Sequence, residues 1–311
     1  MKNILVAGSI AYDHLMTFDG KMKDFLLKDA DHLSVSFQTK DEKLFFGGCA
    51  GNIAYTCHLL GDAPYIISIV GNDFDKYKKW LDENNISCES IQIDKTHGTA
   101  CAYVMTDDNH SQLTIFSVGA MQNIECLANF NFDQLPHIDY AVISPGFPYS
   151  MLYFAQSCME KKIPYLIDPG QSITALSTDA LVSLIDMSNG FIVNEYEGDV
   201  IAKMLSMPFH KIAKRIPFLV RTLGERGAEV YEEGKVTHVP ALKNLKILDV
   251  TGCGDAFRSG FIHGLANGES LVKACQMGNV SASFSVEEEG TQRHKFTLEE
   301  FNERLKKHYG V

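Results

Sequence analysis

Short runs of consecutive apolar residues recur along the chain, each closed by Gly, Pro, Asp, Asn or a similar polar residue. They are NILVAGS (3–9), YIISIVG (65–71), YAVISPG (140–146), PYLIDPG (164–170), GFIVNE (190–195) and PFLVRTLG (217–224). Runs of this length without polar alternation predict strands buried on both faces. Between most of them lie stretches with helical spacing, such as GNIAYTCHLLG (51–61) and FDKYKKWLDENN (74–85). Strands alternating with helices predict βαβ units: an α/β fold with a mostly parallel central sheet and helices on both faces. Beyond DVTGCGDAF (249–257) the spacing predicts helices over 254–267, 270–286 and 297–309.

Two regions break this rhythm. Residues 12–46 and 98–118 carry no strong helical period and contain HLSVSFQT, EKLFF, TACAYVMT and SQLTIF, the last two joined by a DDNH turn. These read as short strands. Within a single domain over 1–311 they predict a small β-sheet lid made from two insertions, with ordinary surface loops as the alternative.

Charge narrows the partners. With 28 Lys and Arg against 39 Asp and Glu the net charge is −11, and no basic block occurs. Nucleic acid and anionic membrane are therefore poor partners. A polyphosphate ligand would need local attraction from a metal ion and backbone amides. No stretch approaches the eighteen apolar residues of a membrane span, and the N-terminus turns polar too soon for a signal peptide. The eight cysteines show neither CxxC nor Cys/His pairing, and read as free thiols of a reduced cytoplasm.

In an open α/β sheet, ligands bind beyond the carboxyl ends of the strands. Asp13 follows the first strand, where a carboxylate suits a polyol or a simple cap. FFGGCAGN (45–52) sets Gly48 and Asn52 at the start of a helix, a place for close backbone approach or an ordinary turn. No Walker A lysine follows it, and no G-x-G-x-x-G follows the first strand, which disfavours hydride transfer. NEYE (194–197) fits a capping box, or an Asn and a carboxylate facing a hydrated cation. RTLGERGAEVY (221–231) reads as a hairpin, or as a nucleotide site offering Thr222, Gly224 and Gly227. In DVTGCGDAF, the amides of Gly252, Cys253 and Gly254 open a helix and attract an anion. Asp255 stands beside them, able to take a proton from a hydroxyl; capping alone does not call for both glycines.

The order and spacing of GGCAGN, NEYE, RTLGERGA and DVTGCGDAF resemble the ribokinase-like, or PfkB, family of carbohydrate and nucleoside kinases over essentially the whole chain. The resemblance implies that Asp255 is the base and that the 252–254 amides form the anion hole. It implies that Asn194 and Glu197 position Mg²⁺ and phosphates, with Glu197 reaching the ion through water. Thr222, Gly224, Gly227 and Asn279 would bind ATP, and Asp13, Gly48 and Asn52 the sugar hydroxyls. Asp249 and VEEEGT match loops that hold K⁺ in relatives. Cys49 stands where ribokinases carry lysine, and GSIAYD, FGGCAGNIAY, IDPGQ and TGCGDAFRSG are similar to bacterial and archaeal nucleoside, or adenosine, kinases. The expectation is transfer of the γ-phosphoryl of MgATP to the 5′-hydroxyl of a purine nucleoside, with Phe37, Phe116 and Met121 covering the base. A ribokinase- or fructokinase-like sugar kinase and a catalytically silent nucleoside-binding relative are the alternatives. Monomer and homodimer both stay open.

Overall fold

The computed structural model describes residues 1–25, 35–109 and 111–310. The first apolar run forms the strand Asn3–Ala7, which pairs in parallel with Ala63–Val70 on one side and Tyr140–Ile143 on the other. Outward from these the sheet continues in parallel through Ile91–Ile93 at one edge, and through Tyr165–Ile167, Gly190–Asn194 and Phe218–Thr222 toward the other. Two antiparallel strands, Ala228–Glu232 and Lys235–Val239, complete that edge.

The alternation of the first strand divides the core. Ile4 and Val6 join one cluster with Ile53, Phe257, Phe261 and Ala274, from helices Cys49–Leu59, Cys253–Ala266 and Leu271–Ser285. Leu5 and Ala7 join a second with Phe154, Leu181 and Ile201, from helices Pro148–Glu160, Thr178–Met187 and Glu195–Met204. Both faces are covered, which is why these strands lack polar alternation. The helix expected over 297–309 is Leu298–Tyr309, opened by a Thr297–Glu300 capping box.

The two departures from the rhythm meet in a four-stranded sheet ordered Asp41–Gly47, Ala11–Phe18, Ala100–Asp107, Gln112–Ser117. Its second strand corrects the sequence reading, which placed Asp13 just past the first strand rather than inside another. Asp13 and His14 blur an alternation that the register reveals: Ala11 and Asp13 face one side, Tyr12 and His14 the other. Residues 35–39 are not a strand, so HLSVSFQT is corrected as far as it is described; 32–34 lie outside the described residues. Phe37 there packs edge-on against Phe18 and Phe25, satisfying its apolar surface without strand pairing. In the DDNH turn, Asp107 accepts bonds from the N–H groups of Asn109, Ser111 and Met22; His110 lies outside the described residues.

Candidate active site

Two large cavities and a small one converge on the first turn of helix Cys253–Ala266. Its N-cap, Gly252, has φ 74°, a left-handed conformation that glycine adopts without strain. The turn leaves the amides of the first residues without intrahelical acceptors, and Cys253 N donates outside the helix to Val250 O at 3.2 Å. Asp255 sits in that turn, only 9% exposed. Burial pushes its carboxyl up to about 6, against the pull of Arg258 and a bond from Asn52.

On the side of the small sheet, a cavity of about 690 Å³ is lined by Asp13, Gly48, Asn52, Phe116, Met121 and Asp255, among others. Gly48 has φ 82°, and a Cβ there would meet Ser9 O and Ala11 N at 2.6 Å, so the chain can enter helix Cys49–Leu59 only as glycine. This brings Asn52 beneath Asp255, where Asn52 Nδ2 donates to Asp255 Oδ2 at 2.8 Å. Burial and the charge of Asp255 push Asp13 up to about 7. Phe37 is not on this wall; it packs at the far end of the small sheet with Phe18, Met22 and Met105. The expectation that it covers a base there is corrected accordingly.

On the other side, a cavity of about 640 Å³ is lined by Thr222, Gly224, Gly227, Cys253, Gly254, Phe257 and Asn279. Thr222 ends a parallel strand, and the turn Gly224–Arg226 after it carries the chain into the antiparallel edge. Asn279 Nδ2 donates to Pro240 O and to the Tyr309 hydroxyl, which fixes the amide at the wall. Burial raises the Cys253 thiol, so it stands there as a neutral, compact group.

Between the two lies a polar pocket of about 200 Å³ shared by Asp168, Asn194, Glu197, Gly252, Gly254, Asp255 and Arg258. NEYE is a capping box: Asn194 N donates to Glu197 Oε2 at 2.7 Å, and Glu197 N donates to Asn194 Oδ1 at 2.8 Å. The capping reading is therefore correct geometrically, and it still turns both groups toward the pocket. Burial and the neighbouring Asp168 raise Glu197, and Arg258 opposes them. Asp249 lies outside these three walls. Its Oδ1 accepts from the N–H and hydroxyl of Thr251, and its Oδ2 from Gly290 N, tying the 249–251 turn to VEEEGT.

Several site residues had no assigned role in the sequence. Gln292, with φ 56°, donates from Nε2 to Asn52 Oδ1 at 3.0 Å and to the Tyr77 hydroxyl, and accepts from Trp80 Nε1 at 2.9 Å. A relay thus runs from Trp80 to Asp255 through two amides. Arg258 forms a buried ion pair with Asp168. The one available signal for it was spacing: Arg258 follows Asp255 by three, hence lies on the same helix face. Gln292 had none, because its partners are 200 or more residues away in sequence.

A family model described as pfkB family carbohydrate kinase matches residues 9–297. A nucleoside kinase of Methanocaldococcus jannaschii is 28% identical, covering 99% of this chain and 98% of its own. The structure of Burkholderia thailandensis nucleoside kinase in complex with inosine has a TM-score of 0.90 at 28% identity, covering 99% of this chain and 98% of that one. The same enzyme in complex with ADP-inosine gives 0.87 at 29% identity, with 99% and 96% covered.

Proposed function

The chain belongs to the pfkB family of carbohydrate kinases, and from that premise we propose that it transfers the γ-phosphoryl of ATP to the 5′-hydroxyl of a nucleoside. The observation that carries the proposal is the meeting of two ligand-sized cavities at Asp255 and the amides of one helix turn. The similarity to nucleoside kinases, one of them in complex with inosine, supports a nucleoside as the acceptor.

In this reading Asp13 and Asn52 hold ribose hydroxyls, Gly48 admits the sugar, and Phe116 and Met121 cover the base. Thr222, Gly224, Gly227 and Asn279 take the adenine side of ATP. Asp255 removes the proton of the 5′-hydroxyl as the amides of Gly252, Cys253 and Gly254 receive the transferring phosphoryl. Positioning and fixed dipoles do most of the work. The small sheet serves as a lid whose closure excludes water.

Among the described residues no group of three His, Cys, Asp or Glu side chains is placed to hold a metal ion. Glu197 is buried with Asn194 groups already on both oxygens. That donor set fits a hydrated Mg²⁺ carried chiefly by phosphate oxygens and reached from Glu197 through water. Bound there, the ion would neutralise charge on the phosphates. K⁺ at the Asp249 loop is part of the same proposal, read out by comparing turnover in potassium and sodium buffers.

The test is ATP consumption across adenosine, inosine, guanosine, cytidine and ribose. A purine nucleoside is expected to exceed ribose in kcat/KM by roughly 10², about 3 kcal/mol of differential transition-state binding. Ribose or a ketohexose preferred over every nucleoside would replace the reading with a sugar kinase. No turnover with any acceptor would replace it with a silent relative.

A further inference from the structure

Arg258 is 6% exposed, and its partner Asp168 is fully buried. Its Nε side and Nη2 are committed to that partner, Nη2 donating to Asp168 Oδ1 at 2.7 Å. Asp168 is itself fixed at the end of strand Tyr165–Ile167, where its N–H donates to Ile143 O at 2.8 Å. Arg258 Nη1 is different. Among the described residues it has no hydrogen-bond acceptor, and the side chain lines the small polar pocket. Gly254 leaves room for it on the other side, where a Cβ would lie 2.8 Å from Nη1. The free edge of the guanidinium therefore lies against the helix turn whose amides open the same pocket.

A purely structural pair does not account for this. Buried ion pairs add little net stability, because desolvation offsets attraction, and an apolar replacement is often neutral. Buried donors are normally paired within the protein. Here Nη2 bonds Asp168, Nε lies in ion-pair contact with the same carboxylate, and Nη1 is left facing a cavity. A planar guanidinium held in this way presents donors in a fixed direction, the geometry that suits a phosphate oxygen.

We propose that Arg258 binds the terminal phosphoryl of the donor nucleotide through Nη1, with Asp168 as the positioning residue that aims it. The assignment rests on the kinase reading above and adds a charged contact to an anion seat otherwise made of amides. A side chain at Gly254 would crowd this edge of the guanidinium.

The test uses the full chain with Asp168→Asn and Arg258→Met combined, which removes the pair without stranding a buried charge. Calorimetry measures binding of ADP and of the non-hydrolysable analogue AMPPNP, both with magnesium. AMPPNP affinity is expected to fall tenfold or more while ADP affinity changes less than twofold. With a nucleoside acceptor, kcat is expected to fall on the order of 10²–10³ with acceptor KM within threefold, the cost of losing one transition-state donor. A folded double variant that loses both nucleotides equally, or neither, overturns the assignment. Should that variant not fold, Arg258→Lys keeps a cation beside Asp168 but loses the fork. It is expected to keep the melting temperature and lose AMPPNP selectively, and unchanged AMPPNP binding overturns the assignment. The binding readout needs no acceptor, so a wild type that turns over no nucleoside refutes the kinase reading separately.

Discussion

Replacing Gln292 by leucine tests whether the relay behind Asp255 is functional or only packing. Leucine shares the left-handed backbone cost that the native residue already carries at φ 56°, so the change is confined to hydrogen bonds. It orphans Asn52 Oδ1 and Trp80 Nε1, while the Tyr77 hydroxyl keeps Gly47 O as its acceptor. A buried group left unpaired costs about 1–3 kcal/mol. Trp80 is only half-buried, which places the two-group total near 3 kcal/mol, measurable as a lower urea midpoint at constant m. The kinetic effect is more specific. Asn52 loses the contact that orients its amide, so its Nδ2 is no longer held on Asp255. A charge-assisted bond is worth about 1.5–3 kcal/mol, and one pKa unit is about 1.4 kcal/mol. Partial loss should therefore move the acid limb of kcat upward by about one unit from a starting value near 6. A pH–rate profile under saturating ATP and nucleoside reads this directly. An unmoved limb in a variant that has lost stability would show that Gln292 only packs.

Asp255→Asn should abolish turnover, at a cost of ~10²–10⁴-fold, and also stabilise the protein at pH 7. Its folded pKa, about 6, lies above the ordinary 3.8, so the folded state loses stability as pH rises between those values, by about 3 kcal/mol in all; a variant melting no higher than wild type at pH 7 would contradict this. Asp13→Ala should raise acceptor KM by roughly 10–100-fold, the loss of one charge-assisted bond, and leave ATP KM alone; equal changes in both would remove Asp13 from the acceptor site. Phe116→Ala should lower kcat/KM for nucleosides by about tenfold, the worth of an aromatic contact plus its burial, and hardly affect ribose; equal penalties would mean that Phe116 does not touch the base.

What could be read in the sequence follows the range of the interactions. The parallel strands and the helix opened by Gly252 were legible because burial and spacing are local properties, and Asp255 was legible because its glycines stand next to it. Strand Ala11–Phe18 was obscured because Asp13 and His14 interrupt its alternation, and only pairing with Asp41–Gly47 and Ala100–Asp107 resolves it. Phe37 looked like a ligand contact because an isolated aromatic in a polar stretch carries no indication of which cluster receives it. The Asp168–Arg258 pair and the Trp80–Gln292–Asn52 relay close over 90 to 240 residues of chain, and no periodicity reports such contacts.

The ionisation of Asp255 joins these long-range groups to the chemistry. A carboxylate in the first turn of a helix is favoured by the dipole, by 0.3–1 kcal/mol when exposed and up to ~2 kcal/mol when partly buried. Alone, that would hold Asp255 below its ordinary range and leave it a weak base. Burial wins instead: the rise from 3.8 to about 6 amounts to about 3 kcal/mol against the charged form, even with Arg258 and Asn52 both opposing it. Without those two the carboxyl would climb further, toward the protonated form that cannot accept a proton from an attacking hydroxyl. With them it is ionised at pH 7 and still basic enough to act. In a chain of net charge −11, the proposed reaction needs this arrangement if a polyphosphate is to approach a pocket that holds three carboxylates. Asp168 is paired with Arg258, Glu197 is tied to Asn194, and Asp255, with a carboxyl raised to about 6, sits in the helix turn proposed to receive the anion.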